Sequence, residues 1–318
     1  MIDWTDRHCR FFHRQLTKRA RLYTEMIVAE AILRGDREYL LGFDTCEHPV
    51  AIQLGGSDPA RLAEAAGIAE SYGYDEINLN VGCPSDKVQS GTFGACLMRD
   101  PALVAECVAA MRAAVSVPVT VKCRLGVDDQ DPEESLFTFV RRVAETGCDT
   151  FIVHARKAWL QGLSPKENRT IPPLDYEIVA RLKQENPALQ IILNGGITSL
   201  DQAGEHLGRF DGVMLGRAAY ENPYLLADVD RVFFGGNTAQ PDRRSVVEAM
   251  IAYSTDHLEE GGKVNMVTRH MIGLFHGQPG AKTWRQHLTV ESCKSDADAG
   301  LLRDALNRLP AAAFEVAA

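Results

Sequence analysis

The sequence predicts an α/β fold, a TIM (β/α)8-type barrel followed by a small C-terminal helical domain. Three observations carry that prediction. From about residue 21 to 215, short strand-like stretches alternate with longer segments of helical period, the pattern of a parallel sheet with crossover helices. Polar residues and glycines gather where those strands end, which in a barrel is the rim that carries the active site. Past about residue 240 the strand pattern stops and only helical spacing remains. The 318 residues hold one barrel and a small second domain. The domains are expected at 1–236 and 242–318, joined by a linker running from Gly235-Gly236-Asn237 to Pro241-Asp242.

In chain order, residues 5–16 read as a helix capped by Thr5 or Asp6. Strands are expected at Arg21–Val28, Val50–Leu54, Glu76–Val81, Val117–Lys122, Thr150–His154, Gln190–Leu193 and Gly212–Leu215. Helices fall between them at about 58–72, 101–115, 133–146, 175–186 and 199–207. Asp58-Pro59 is a strong start, a capping carboxylate followed by proline at the first helical position. Ser245–Leu258, Lys263–Phe275, Ala281–Leu288 and Asp296–Leu309 are helical by apolar spacing. That gives seven strands, and a (β/α)8 barrel has eight.

A net charge of −9 excludes a nucleic-acid-binding surface that covers the whole molecule, so any such partner must use a local basic patch. The eight cysteines form no CxxC pair, and no Cys/His cluster has zinc spacing, so no metal site is expected. They sit in apolar patterns, which points to a reducing compartment. No apolar run approaches the length of a membrane span, and residues 1–25 are too charged for a signal peptide. A soluble, cytoplasmic protein is expected.

The stretch richest in chemistry runs from Tyr74 to Asp100. An alternating strand ends at Asn80-Val81, and Gly82 and Pro84 then place Cys83 on a turn, ahead of a small-residue segment at 90–95. A free cysteine is usually a small buried hydrophobe, but a core thiol needs neither a glycine before it nor a proline after it. Other strand ends supply Gln53, Lys122, Arg124, His154 and Arg156, then Asn194-Gly195-Gly196 and Gly216-Arg217. Singly, Lys122 could cap a carbonyl and His154 could be a satisfied core histidine. Glycine turns after the last two strands suit the backbone approach of a phosphate, so a phosphorylated cofactor is expected.

These residues lie in a sequence that resembles the tRNA-dihydrouridine synthases, and among them the A subfamily. The resemblance rests on LYTEM at 22–26, QLGGSDP at 53–59, YDEINLNVGCPSDKVQSGTFGACLM at 74–98 and PVTVKCRLG at 118–126. It continues through VHARKAWLQGLSPKENRTIPPLDY at 153–176, NGGITS at 194–199, DGVMLGRAAYENP at 211–223 and TRHMIGLFHGQPGAKTWRQHL at 268–288. It covers nearly the whole chain, in family order. It implies an FMN-binding barrel with a helical tRNA-binding domain, NADPH as reductant, and D-loop uridines 20 and 20a of tRNA as substrate. No protein partner is implied, and a monomer is expected. Carried over by residue, Met1, Gln53, Lys122 and His154 would contact the FMN. Asn194, Gly195, Gly196, Gly216 and Arg217 would hold its phosphate end. Cys83 would be the proton donor and Asn80 a contact to uracil, while Lys166, Arg169, Lys282 and Arg285 would touch tRNA.

The chemistry suits these residue types. Reduction of the uracil 5,6-double bond needs a hydride at C6 and a proton at C5, and a thiol, largely protonated near neutrality, can serve as the acid. FMN would supply the hydride, and Lys122 would stabilise the charge that reduction leaves on it. Between Lys263 and Lys294 there are five cations against one carboxylate, with Trp284 and three histidines among them. A solvated helical face is the plain reading of charge alone, and the interleaved aromatic with the scarcity of carboxylates favours a phosphate-tracking surface. Two other readings stay open: a flavin barrel oxidoreductase acting on a small molecule, such as a dihydroorotate or dihydropyrimidine dehydrogenase, and a non-catalytic RNA-binding protein. The resemblance also accounts for the strand count. Met1-Ile2-Asp3-Trp4 matches the family from the Met of an Ala-Pro-Met turn that ends its first strand. An eighth strand is therefore expected upstream of Met1, and this chain is expected to leave edges at 21–28 and 212–215.

Overall fold

A computed structural model of the chain describes residues 1–85, 93–235 and 239–314. Residues 90–92 of the small-residue segment, and 236–238 of the expected linker with its 236 boundary, lie outside the described residues. The chain divides into two compact units. One comprises Met1, Arg21–Gly42 and His48–Gly216; the other comprises Ile2–Ala20, Phe43–Glu47 and Arg217–Ala318.

The first unit is an α/β structure of the TIM-barrel type. Its strands are β1 (Leu22–Val28), β2 (Val50–Gly55), β3 (Glu76–Asn80), β4 (Val119–Arg124), β5 (Thr150–His154), β6 (Gln190–Asn194) and β7 (Gly212–Met214). They pair in sequence order and every pair is parallel. Among the described residues β1 and β7 each pair on one side only. Helices Pro59–Ser71, Pro101–Ala114 and Pro132–Ala144 all begin with Asp-Pro. Asp58, Asp100 and Asp131 each accept from a backbone N–H of the first turn, a cap of about 1 kcal/mol apiece.

Strand alternation sorts the side chains into two sets. Ile77, Leu79, Val121, Phe151, Val153, Ile191 and Leu193 are fully buried, and their apolar bulk anchors the sheet at about 1.5–3 kcal/mol each. In β3 and β4 the alternate positions are polar, while in β5 and β6 they include Ile152 and Ile192. Register sets Gln53 beside Asn78 and Asn78 beside Thr120; Asn80 beside Lys122; and Arg124, His154 and Asn194 in one row.

The second unit is helical. Its first helix, Arg7–Leu16, is capped by Asp6, whose Oδ1 accepts from Cys9 N at 2.9 Å. Arg10 and Arg14 of that helix are buried: Arg10 Nε pairs with Glu47 Oε2 at 2.6 Å, and the Arg14 guanidinium donates to the carbonyls of Thr17, Ala20 and Glu47. The longest helices that follow are Arg243–Glu259, Ala281–Glu291 and Gly300–Asn307. Trp284 is fully buried against Phe275, with its indole N–H donating to Met271 O at 2.9 Å. His270 and His287 are buried as well. Trp284 and these two histidines are therefore core groups rather than members of a surface that tracks phosphates. Positions 284, 287 and 288 share one helix face, and that face is apolar enough to pack inward.

Candidate active site

The carboxyl ends of β2 to β7 gather the residues expected from sequence. Cys83 follows β3 on a turn that Asn80 holds in place: Asn80 Oδ1 accepts from Gly82 N at 3.0 Å and from Cys83 N at 2.9 Å. The Cys83 carbonyl accepts from Ala95 N at 2.9 Å. The Asn80 amide nitrogen donates to Gln53 Oε1 at 2.6 Å, so Asn80 is committed first to the thiol's own turn.

Behind Asn80 runs a buried polar ladder. Gln53 Nε2 donates to Asn78 Oδ1 at 2.9 Å, and Asn78 Nδ2 donates to Thr120 Oγ1 at 2.8 Å. Thr120 Oγ1 donates to Glu76 Oε1 at 2.7 Å, where Tyr23 OH also donates at 2.8 Å, and Arg21 pairs with the other carboxylate oxygen. Buried polar groups cost free energy unless every partner is made. Each side-chain nitrogen and oxygen linked in the ladder has at least one partner, and those bonds fix the orientation of the Gln53 and Asn80 amides at the rim.

Two basic residues of β4 adjoin this turn, where Val81 N donates to Lys122 O at 2.8 Å. Arg124 is buried, and its guanidinium donates to Gly82 O at 2.8 Å and to Lys157 O and Asn168 O at 3.0 Å each. Burial pulls it down to about 10, still charged near neutrality. Lys122 differs. Among the described residues no carbonyl or carboxylate accepts from its ammonium. Lost hydration first, and repulsion from Arg124 second, push it down to about 8. A cation held without an acceptor is suited to an electron-rich ligand.

The turn after β6 has the shape of a cradle. Gly195 and Gly196 sit at φ +113° and +75°, and a Cβ on Gly195 would lie 3.3 Å from His154 Nε2. A Cβ on Gly196 would meet Leu174 at 2.5 Å and the Tyr176 hydroxyl at 2.8 Å. Only glycine fits there. Tyr176 OH donates to Gly195 O at 2.7 Å, and Asn194 Nδ2 donates to Met214 O at 2.7 Å, tying β6 to β7. Gly216 faces open space apart from Met1 Sδ, 3.7 Å from a built Cβ. A partly buried ammonium without an acceptor and bare glycine backbone on the same rim fit a phosphorylated, electron-rich cofactor. A cavity of about 380 Å³ opens beyond β1 and β2, lined by Val28, Glu30, Gly55, Ser57, Arg61 and Phe93, and includes none of the residues expected from sequence.

Of the remaining expected residues, Lys166 is exposed and Arg169 half-buried on the loop after β5. Arg217 opens the helix Arg217–Glu221, and Lys282 and Arg285 are exposed on Ala281–Glu291; all three belong to the second unit. Burial pushes the thiols of Cys107 and Cys123 up to about 12 and that of Cys148 to about 11, which marks them as inert core residues. The sequence did not reveal the Arg124 clamp or the polar ladder. The alternation of polar residues in β3 and β4 was their one visible sign.

A seven-stranded parallel sheet of the TIM-barrel type, with a thiol, an ammonium and a glycine cradle at its carboxyl end, has the arrangement of a TIM-barrel enzyme. The fold is similar to that of morphinone reductase, at a TM-score of 0.52 and 14% identity, covering 77% of this chain and 85% of that one. The family model for dihydrouridine synthase (Dus) matches residues 1–310, and the chain belongs to that family. A protein of Shewanella oneidensis called tRNA-dihydrouridine(20/20a) synthase is 58% identical over 297 residues, 93% of this chain and 88% of the relative. Proteins of the same name from Synechocystis sp. and Salmonella typhi are 58% and 57% identical, each over 96% of this chain and 92% of the relative. Among the described residues no helix is long and apolar enough to cross a membrane.

Proposed function

We propose that the protein reduces uridine to 5,6-dihydrouridine in the D loop of tRNA, at the 20 and 20a positions named for its relatives. It would act as a cytoplasmic monomer with NADPH as the reductant. Flavin mononucleotide, held by Lys122, Gln53, His154 and Met1 with the turns at Asn194–Gly196 and Gly216, would supply the hydride for uracil C6.

Cys83 supplies the proton. Once a hydride has added at C6, negative charge spreads over C5 and the C4 carbonyl, and the Cys83 thiol transfers its proton to C5. The addition is complete with one hydride and one proton gained by the ring and a thiolate left on Cys83. Lys122 and Arg124 are close enough to interact electrostatically with that sulfur and oppose the cost of its charge. Asn80 keeps the turn, and with it the sulfur, in one place.

The observation that carries this reading is the Cys83 turn, pinned by Asn80, whose register partner on β4 is Lys122. Cys83→Ala tests it. The variant should bind FMN and oxidise NADPH but form no dihydrouridine; normal turnover would remove Cys83 from the mechanism.

A further inference from the structure

The loop after β5 carries an aromatic side chain that packing does not account for. Trp159 is 40% exposed, and the Lys157 ammonium lies over its ring, 5.7 Å from the centroid. Between 155 and 173 the chain holds four cations (Arg156, Lys157, Lys166, Arg169) against the single carboxylate of Glu167, which is itself bonded to Ser164.

The ring stands on a rigid base. Asn168 is fully buried; its Oδ1 accepts from Trp159 N at 2.7 Å and its Nδ2 donates to Trp159 O at 2.8 Å. Asp128 Oδ1 accepts from Leu160 N at 2.8 Å, and Ala158 N donates to Gly126 O at 3.0 Å. Arg124 then ties this loop to the catalytic turn, because one guanidinium donates to Gly82 O on one side and to Lys157 O and Asn168 O on the other. The residues that flank and pin Trp159, Lys157 and Asn168, thus share one guanidinium with the turn that presents Cys83. An exposed apolar residue is common and usually incidental. An aromatic ring fixed at both backbone groups, under an ammonium, in a loop poor in carboxylates, matches the surface that binds unpaired bases by stacking and phosphates by charge.

We propose that Trp159 is a stacking platform for an unpaired base of the tRNA, with Lys157 taking an adjacent phosphate. This rests on tRNA being the substrate. The platform would hold a base near the target uridine while that uridine is unstacked, and so help to offset the cost of unstacking.

The test uses the full-length protein with Trp159→Phe and Trp159→Leu, unmodified tRNA, and melting curves to establish that each variant folds like wild type. Trp159→Leu should raise Kd and KM for tRNA about ten- to hundredfold, the loss expected for one stacked base. Trp159→Phe should restore most of that affinity, and tRNA should quench tryptophan emission more in wild type than in Trp159→Phe. Wild-type affinity in Trp159→Leu, or equal loss in Trp159→Leu and Trp159→Phe, would overturn the platform while leaving the substrate intact. A wild-type protein that binds no tRNA would remove the substrate itself. Loss of self-association in Trp159→Leu, with tRNA affinity unchanged, would assign the ring to a protein contact and overturn the proposal.

Discussion

Lys122→Met should make the cofactor-free protein more stable near neutral pH. The ammonium at the end of β4 has no acceptor among the described residues, and the fold moves it from 10.5 to about 8. A depressed lysine means that the folded state binds its proton less tightly than the unfolded chain. Below about pH 8 both states are charged, and the fold bears the full cost, a ceiling of about 3 kcal/mol for a displacement of that size. Between about pH 8 and 10.5 the folded state sheds the proton first, so wild-type stability rises with pH across this window. Methionine carries no charge and keeps most of the stem's volume. Urea denaturation of the flavin-free proteins should therefore find Lys122→Met more stable by about 1–3 kcal/mol at neutral pH, with the gap closing as pH approaches 10.5. If Lys122 holds the flavin as proposed, the same variant should lose flavin affinity, because its stability comes from discarding that charge. A destabilised Lys122→Met at neutral pH, or a gap that ignores pH, would refute the reasoning.

Three further outcomes follow from the geometry. Asn78→Leu removes the middle of the buried ladder and leaves Gln53 Nε2 without its acceptor; it should cost about 2–4 kcal/mol in chemical denaturation and lower dihydrouridine formation through the loosened Asn80. In the helical unit, burial holds His8 down at about 4 and His13 at about 3, so the unfolded chain binds more protons below about pH 6.5. Stability should fall on acidification from about pH 6.5 to 4 by up to about 1.4 kcal/mol per pH unit for each imidazole, and His13→Leu should flatten that slope in urea melts. Reversing Lys282 and Arg285 to Glu should weaken tRNA binding and reduce the slope of affinity against salt by about one unit per lost phosphate contact.

Much of this fold was legible because its signals are local. Asp-Pro at 58–59 and 100–101 marks helix starts through a cap and a fixed φ, and the alternation in Glu76–Asn80 marks a strand with two kinds of face. Both depend on neighbours along the chain. The cysteine on its turn was legible for the same reason, since Gly82 and Pro84 adjoin it. What escaped depends on distant partners. His270 lies in a cationic stretch of sequence, yet it is buried, with its Nε2 3.1 Å from Asp6 Oδ2, 264 residues away. Trp284 reads as an aromatic among cations until its face is seen to pack on Phe275. The helix Arg7–Leu16 precedes the barrel strands but packs with helices that follow them, through Phe11 stacked on Tyr253 and His8 bonded to its hydroxyl. Asn80 reads as a candidate contact for the substrate base; its bonds to Gly82 and Cys83 became visible only with the turn in three dimensions.

The central claim is that this chain transfers two hydrogens to a D-loop uridine of tRNA. The direct measurement incubates the purified, flavin-loaded protein with NADPH and an unmodified tRNA transcript, and then maps the digested RNA by mass. The expected result is a gain of two hydrogens confined to D-loop uridines, with NADPH consumed in step. NADPH oxidation with no change of mass anywhere in the tRNA would contradict the account.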